Sequence, residues 1–213
     1  NNLELIERNQ PIGINIGKNS DTKIESAHKD YQYCMKEIFF LADYITLNIS
    51  SPNTSRLREL HSDNYLDKFL YEIKKTHDEL SKKYKKIVPL VLKISPDIEK
   101  DNLKALCKKM LNYEIDGVIA TNTTIDKNIL IDKSFLDHKG GVSGKPLFNK
   151  SNILIKDIKD LVKNNITIIG AGGITTKKSA TEKLDSGADL LQLYTGLVYY
   201  GLDLIKEITN EIG

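Results

Sequence analysis

A short polar segment at residues 48–54 combines residue types that can bind a small planar molecule. It reads NISSPNT, so two amides and several hydroxyls follow directly after an apolar stretch. A hydrogen-bonded turn through Ser51, Pro52 and Asn53 explains part of this composition, although a turn needs only one Asn and a Pro. The other interpretation is a polar cradle for a planar, amide-rich substrate.

Lys93 ends an apolar run, so its side chain is expected to leave a buried strand. Three interpretations are open for a lysine in this place. It can be a surface lysine whose stem packs on apolar neighbours, a Schiff-base nucleophile, or a fixed cation that stabilises negative charge on a cofactor. The motif alone does not separate the last two.

Further polar or glycine-bearing segments also lie where apolar stretches end. Residues 121–124 read TNTT, and a helix cap does not need four polar residues. Residues 170–174 (GAGGI) and 193–196 (LYTG) follow the last two apolar stretches, where barrel proteins bind phosphate through backbone N–H groups. These two predict a phosphate site. Residues 140–146 superficially resemble a phosphate loop but lack its spacing, and we reject that interpretation.

The elements that must position these segments alternate between short apolar runs and amphipathic helical patterns. The predicted strands are residues 11–16, 44–49, 88–94, 117–120, 166–169 and 190–193. The predicted helices are residues 23–41, 64–84, 99–112, 151–163, 176–186 and 202–212. This alternation predicts an α/β fold with a parallel sheet, wound as a barrel or as an open doubly wound sheet.

The position of the polar residues favours the barrel. They fall at the ends of the predicted strands, and (β/α)8, or TIM, barrels collect their chemistry at that rim. A closed barrel of this type needs eight strands. We therefore predict a TIM barrel of which about the last six βα units are present, with two units preceding Asn1.

Composition excludes several classes of function. The chain has 213 residues and a net charge of +2, too balanced for a nucleic-acid partner. Cys34 and Cys107 lack metal-ligand neighbours and are expected to be reduced core residues. No histidine ends a strand, so neither a metal site nor a hydrolytic triad is predicted. No apolar run is long enough to span a bilayer, although an anchor could precede Asn1.

Taken in order, these segments resemble the dihydroorotate dehydrogenase family over essentially the whole chain. The motifs lie at residues 13–19 (GINIGKN), 48–54, 93–97 (KISPD), 121–124, 140–147, 170–174 and 193–196, in the family's order. The form SSPNT, with Ser51, is similar to the quinone-dependent class 2, whereas the soluble class 1 carries cysteine there. Carried over, the resemblance implies FMN as cofactor and oxidation of dihydroorotate to orotate, in de novo pyrimidine (UMP) biosynthesis, with quinone as the final electron acceptor.

The resemblance also implies roles for particular residues. Ser51 would take a proton from C5 of dihydroorotate while hydride leaves C6 for N5 of the flavin. The implied substrate-binding residues are Asn48, Asn53, Asn122 and Thr123. The implied FMN-binding residues are Asn15, Asn48, Lys93, Thr121, Gly144, Gly173, Tyr194 and Thr195. Among them, Lys93 would stabilise the charge that develops near N1 and O2 of the flavin on reduction.

The chain departs from the family at its N-terminus. The first two barrel units and the helical membrane and quinone site would precede Asn1, so residues 1–213 are expected to form only the FMN- and substrate-binding domain. The resemblance implies peripheral attachment to a membrane through that absent segment, at the cytoplasmic face of a bacterial inner membrane or at the mitochondrial inner membrane. The alternatives are an aldolase-like lyase using Lys93 as Schiff base, a flavin barrel acting on another pyrimidine, and an inert binding module.

Overall fold

A computed structural model describes residues 10–130 and 132–212 of the chain. The strands are β1 Gly13–Ile16, β2 Tyr44–Asn48, β3 Leu90–Lys93, β4 Gly117–Ala120, β5 Thr167–Ala171 and β6 Leu190–Gln192. The α-helices are α1 Ala27–Ile38, α2 Asp63–Tyr84, α3 Lys100–Asn112, α4 Phe148–Val162, α5 Lys177–Asp185, α6 Thr195–Tyr200 and α7 Asp203–Ile212. Short 3-10 helices lie at Ile24–Ser26, Leu57–His61, Lys127–Ile129, Lys133–Phe135 and Lys145–Leu147. Residues 1–9, 131 and 213, which the predicted domain includes, lie outside the described residues.

The sheet is a curled half-barrel whose six parallel strands are ordered β1-β2-β3-β4-β5-β6. Each strand pairs with the next along the chain, and β1 and β6 form the edges. A doubly wound sheet would instead reverse its order at a switch point. The sequential order therefore confirms the predicted barrel architecture, of which this chain forms a part.

Aspartates fix the register of the sheet at the edge where its strands begin. Asp43, just before β2, donates its N–H to the carbonyl of Ile12 at 2.9 Å and accepts the N–H of Ile12 on Oδ2 at 2.8 Å. Asp116 and Asp189 make the same pair of bonds with β3 and β5, respectively. Every second strand is thus joined to the preceding one at the end opposite the polar segments.

Strand alternation separates the two faces of the half-barrel. Leu90 and Leu92 of β3 are buried in the main core between the sheet and its helices. Val91 points to the other face and packs with Ile119 and Ala171 in a separate apolar cluster inside the half-barrel. Because side chains two residues apart share a face of a strand, Lys93 extends on the inner side with Val91.

Apolar side chains are exposed at the β6 edge. Leu190 is 55% exposed, and Val198 and Tyr199 of α6 are 73% and 78% exposed. Six of the eight barrel units leave strand edges without a neighbour, and this edge shows such an uncovered surface. No helix of the described residues 10–130 and 132–212 has the length and apolar character needed to cross a membrane.

The predicted elements are confirmed apart from their ends and one helix. β3 begins at Leu90 rather than at residue 88, because Pro89 has no N–H to pair. α4 begins at Phe148, earlier than predicted, directly after the 3-10 turn that holds Pro146. α6 was not predicted: residues 195–200 form a short helix that is separated from the end of β6 by two residues.

Candidate active site

The predicted site residues converge on one cavity of about 290 Å³ at the carboxyl ends of the strands. Those that line it are Asn15, Asn48, Ser51, Lys93, Thr121, Asn122, Thr123, Gly144, Gly173, Tyr194 and Thr195. They come from segments spread over most of the chain and meet because parallel strands present their carboxyl ends at one rim. Asn53 does not line the cavity: it is exposed, one turn beyond Ser51. Its predicted role as a substrate ligand stays a prediction.

Ser50 joins two amides of the site. Oδ1 of Asn48 accepts from the backbone N–H and the hydroxyl of Ser50, at 3.2 and 3.0 Å, and Nδ2 of Asn122 contacts the same oxygen at 3.3 Å. Nδ2 of Asn122 also donates to the Ser50 hydroxyl at 3.0 Å. Ser50 is fully buried, and we did not predict a role for it.

This arrangement decides which groups remain for a ligand. Among the described residues, the side-chain hydrogen bonds of Asn48 all use Oδ1, so its Nδ2 group is available as a donor. Oδ1 of Asn122 accepts the N–H of Thr123 at 2.7 Å. Tyr31 holds the backbone of Asn48 by donating its hydroxyl to that residue's carbonyl at 2.7 Å. The amides are therefore held in fixed orientations before any ligand binds.

Ser51 lies half-buried at the cavity with its hydroxyl oxygen accepting the N–H of Asn53 at 3.3 Å. A hydrogen bond donated to this oxygen favours the form of the hydroxyl that has lost its proton. The two interpretations of residues 48–54 are therefore compatible, because the hydrogen-bonded turn through Asn53 places Ser51 at the cavity.

Arg58 ties the loop of Ser51 to the loop after β4. Its Nε donates to the carbonyl of Ser50 at 3.0 Å, and one terminal nitrogen donates to the carbonyl of Thr123 at 2.9 Å. The other terminal nitrogen contacts Oδ2 of Asp97 at 2.7 Å. A guanidinium can serve three acceptors at once because its N–H groups are held in a plane. We did not predict a role for Arg58 from the sequence.

Asp97 is the anionic centre of this network. Oδ1 accepts from Nζ of Lys150 at 2.7 Å and from the hydroxyl of Thr124, and Oδ2 accepts the N–H of Ile125 at 2.9 Å. Burial alone would raise the pKa of Asp97, but the hydrogen bonds from Lys150, Thr124, Ile125 and Arg58 outweigh it and hold the pKa below its usual value. Asp97 therefore stays ionised and anchors the loops after β2 and β4.

Lys93 crosses the inside of the half-barrel to reach β6. Its Nζ donates to Oε1 of Gln192 at 3.0 Å, and burial lowers the pKa of Lys93. An ammonium has further N–H groups beyond this one bond. The structure thus favours a lysine inside the site over a surface lysine. Gln192 also lines the cavity, and a polar residue ending an apolar strand was the signal that could have identified it.

The opposite wall of the cavity is built from backbone. Gly172 and Gly173 follow β5 with φ of +107° and +77°, a region that favours glycine. A Cβ on Gly173 would lie 2.5 Å from Cβ of Phe148, so only glycine allows this loop to pack on the start of α4. Thr195 closes the wall with a 3.1 Å hydrogen bond to the Ser143 hydroxyl.

Fold and site together define a (β/α)-barrel protein with a pocket, carrying several polar side chains, at the carboxyl ends of its strands. The model of the dihydroorotate dehydrogenase family matches residues 2–213. The chain belongs to this family, which confirms the resemblance seen in its motifs.

The relatives span more than this chain. It is 47% identical over 212 residues to the dihydroorotate dehydrogenase (quinone) of Buchnera aphidicola subsp. Schizaphis graminum, and 43% identical over 211 residues to that of Aliivibrio fischeri strain MJ11. The alignments cover 100% and 99% of this chain but 63% of each relative. The chain therefore spans less than two-thirds of their length.

Solved structures show the same fold. Ligand-free DHODH from Eimeria tenella is 30% identical with a TM-score of 0.88, covering 97% of this chain and 60% of that one. The same organism's DHODH in complex with ferulenol is 28% identical with a TM-score of 0.83, covering 97% and 58%. The half-barrel thus corresponds to a part of these larger chains.

Proposed function

We propose that the protein oxidises dihydroorotate to orotate in de novo pyrimidine (UMP) biosynthesis, with FMN as hydride acceptor and quinone as final electron acceptor. The observation that carries the proposal is the convergence of Ser51, the paired amides of Asn48 and Asn122, and the Lys93 ammonium on one cavity. Membership of the dihydroorotate dehydrogenase family supplies the reaction.

The oxidation removes a proton from C5 and a hydride from C6, and a double bond forms between them. The Ser51 oxygen takes the C5 proton while its own hydroxyl proton passes to a hydrogen-bonded water that carries it to solvent. The N–H of Asn53, 3.3 Å from this oxygen, supports the negative charge that develops there. Asn48, Asn122, Thr123 and Asn53 hold the pyrimidine ring, with its C5 hydrogen toward Ser51.

The described residues fit FMN on two observations. Lys93 offers a half-buried cation whose one side-chain hydrogen bond among the described residues goes to a neutral amide, so it can stabilise added electron density on a ring system. Gly172 and Gly173 form a wall without side chains, where backbone can approach a phosphate closely. Asn15, Thr121, Gly144, Tyr194 and Thr195 complete the binding surface. When bound, FMN supplies the acceptor for the hydride that leaves C6.

Quinone as the final acceptor is supported by the relatives, which bear the name dihydroorotate dehydrogenase (quinone). Quinones reside in membranes, so we propose peripheral membrane association through a segment outside the 213 residues. The membrane is the bacterial inner membrane, at its cytoplasmic face, or the mitochondrial inner membrane.

The test is anaerobic addition of dihydroorotate to the purified protein while its visible absorption is recorded. Bleaching of a yellow flavin spectrum is expected. Ser51→Ala should keep the flavin but slow bleaching by about 10²–10⁴-fold, the usual contribution of a positioned base. Ser55→Ala, an exposed serine of the same loop, is the matched control and should bleach at the normal rate.

Other outcomes would contradict the proposal. A flavin that stays oxidised points to another substrate. A protein that takes up no flavin favours a binding module or the lyase that uses Lys93 as a Schiff base. Borohydride trapping of a carbonyl compound on Lys93, lost in Lys93→Met, would establish the lyase.

A further inference from the structure

Lys183 of α5 is fully buried, yet no carboxylate of the described residues lies within ion-pair distance of its ammonium. Its Nζ donates to the Ser151 hydroxyl and to Oδ1 of Asn152, both at 2.6 Å, and lies 4.9 Å from the ring centroid of Phe148. All these partners are neutral and belong to the first turns of α4. Burial lowers the pKa of Lys183 to about 8.

A space-filling role does not explain the charge. The stem of Lys183 does fill space, since a Cβ on Gly170 would lie 2.8 Å from its Cγ. An apolar side chain would fill the same volume without the large free-energy cost of burying an ammonium that has no counter-charge. An anion that binds nearby would offset that cost.

The Lys183 ammonium is joined to the cavity wall through Ser151. The Ser151 hydroxyl accepts from Lys183 and shares its one hydrogen between the carbonyl oxygens of Phe148, at 2.9 Å, and Gly172, at 3.3 Å. Ser151 is itself fully buried, and Gly172 and Gly173 line the cavity. Lys183 therefore lies behind the glycine wall, two hydrogen-bond steps from it.

The orientation of one peptide unit follows from this contact. In a trans peptide the C=O and the next N–H point in opposite directions. With the Gly172 carbonyl directed at Ser151, the N–H of Gly173 is directed away from Ser151. This N–H donates to no protein acceptor among the described residues, so it is available to a ligand.

We propose that Lys183 is a positioning residue for the flavin phosphate: through Ser151 it holds the Gly172–Gly173 peptide with its N–H available to the phosphate, and it adds positive charge behind that wall. The inference rests on the proposed use of FMN. It assigns a role to a side chain that does not line the cavity and that no motif of the sequence identified.

The test compares FMN with riboflavin, which has the same ring system but no phosphate. Both are titrated into flavin-free protein, and the ratio of the two dissociation constants is measured for each variant. Lys183→Met, which keeps the length of the stem, should lower the preference for FMN by roughly tenfold, because it removes the positive charge behind the glycine wall and the hydrogen bond that holds Ser151. Ser151→Ala should lower the same preference while leaving riboflavin affinity unchanged.

Lys178→Met is the matched control, because Lys178 lies on the same helix with its side chain 85% exposed. Its ratio should equal that of the unmodified protein. A full FMN preference in folded Lys183→Met overturns the inference, and if that variant does not fold, a full preference in Ser151→Ala overturns it. If the unmodified protein binds FMN and riboflavin equally well, only the inference about Lys183 is overturned. If it binds neither flavin, the proposed function is overturned as well.

Discussion

Lys93 on β3 and Gln192 on β6 meet across the inside of the half-barrel, 3.0 Å apart and 99 residues distant in the sequence. The bond aims the ammonium into the cavity and leaves its other N–H groups for a ligand. Burial lowers the pKa of Lys93, which indicates that its ammonium is partly shielded from water. A charge shielded from water acts more strongly on a neighbouring ligand than a charge in solvent does.

Replacing this cation should slow flavin reduction without removing the flavin. Lys93→Met is expected to lower the rate of reduction by dihydroorotate by about 10²-fold, because negative charge that develops on the ring loses its nearby cation. Anaerobic stopped-flow absorption measures the rate. Lys104→Met, whose side chain is 65% exposed on α3, should react at the normal rate. An unchanged rate in Lys93→Met would show that the Lys93 ammonium does not stabilise the negative charge that develops on the flavin.

Arg58 should act through the geometry of its hydrogen bonds as well as its charge. Arg58→Lys keeps a cation near Asp97 but cannot reach the carbonyls of Ser50 and Thr123 in the same way. We expect the variant to recover most of the stability that Arg58→Leu loses, about 2 kcal/mol for a half-buried pair. Its rate of flavin reduction should nevertheless stay about tenfold low.

Urea unfolding and stopped-flow reduction give the two quantities, and FMN affinity should be unchanged. Arg56→Lys is the matched control, since Arg56 is 54% exposed and contacts only Glu59 among the described residues. If stability and rate fall in proportion across the Arg58 variants, Arg58 is structural and does not orient the Ser51 loop.

The aspartates at the start of the strands should affect stability alone. Asp116→Ala removes the 2.7 Å acceptor of the Leu90 N–H at the end of the sheet opposite the site. We expect a loss of about 1 kcal/mol in the free energy of unfolding, measured in urea, with flavin reduction unchanged. Asp137→Ala, at an exposed turn outside the helices and strands, should change neither. A slower reduction in Asp116→Ala would show that the two ends of the strands are coupled.

The stability of the fold should fall at acid pH because of His61. It is buried in the 3-10 helix Leu57–His61, its Nε2 has no partner among the described residues, and burial lowers its pKa from 6.5 to about 4, with Arg58 adding to the shift. The folded pKa lies below the unfolded one, so the unfolded state binds more protons as pH falls. The contribution of His61 to the free energy of unfolding is therefore fully present above about pH 6.5. It is lost as the pH falls toward 4, by at most about 1.4 kcal/mol per pH unit.

Urea unfolding between about pH 7 and pH 5 measures this slope. His61→Phe should reduce it, because a phenyl ring fills a similar volume and does not titrate. The same change at His138, which is exposed, should leave the slope as it was. If His61→Phe shows the same dependence of stability on pH as the unmodified protein, other groups cause that dependence.

The sequence by itself predicted the elements, the barrel architecture and most of the cavity lining. Apolar periodicity is a local property, so the strands and most helices could be identified within a few residues. The ends of parallel strands meet at one rim, so polar residues such as Asn48, Lys93 and Asn122 could be expected to converge. The short helix α6 was not predicted, because it has only six residues, is separated from β6 by two residues and contains Gly196.

Only the tertiary structure decided which groups touch. Ser50 bonds to Asn122 over 72 residues, Arg58 to Thr123 over 65, and Lys183 to Ser151 over 32. No role was predicted for Ser50, Arg58 or Lys183, because a buried polar group acquires its role from the partner that satisfies it. That partner is set by how the βα units curl and pack, which no local pattern of residues specifies.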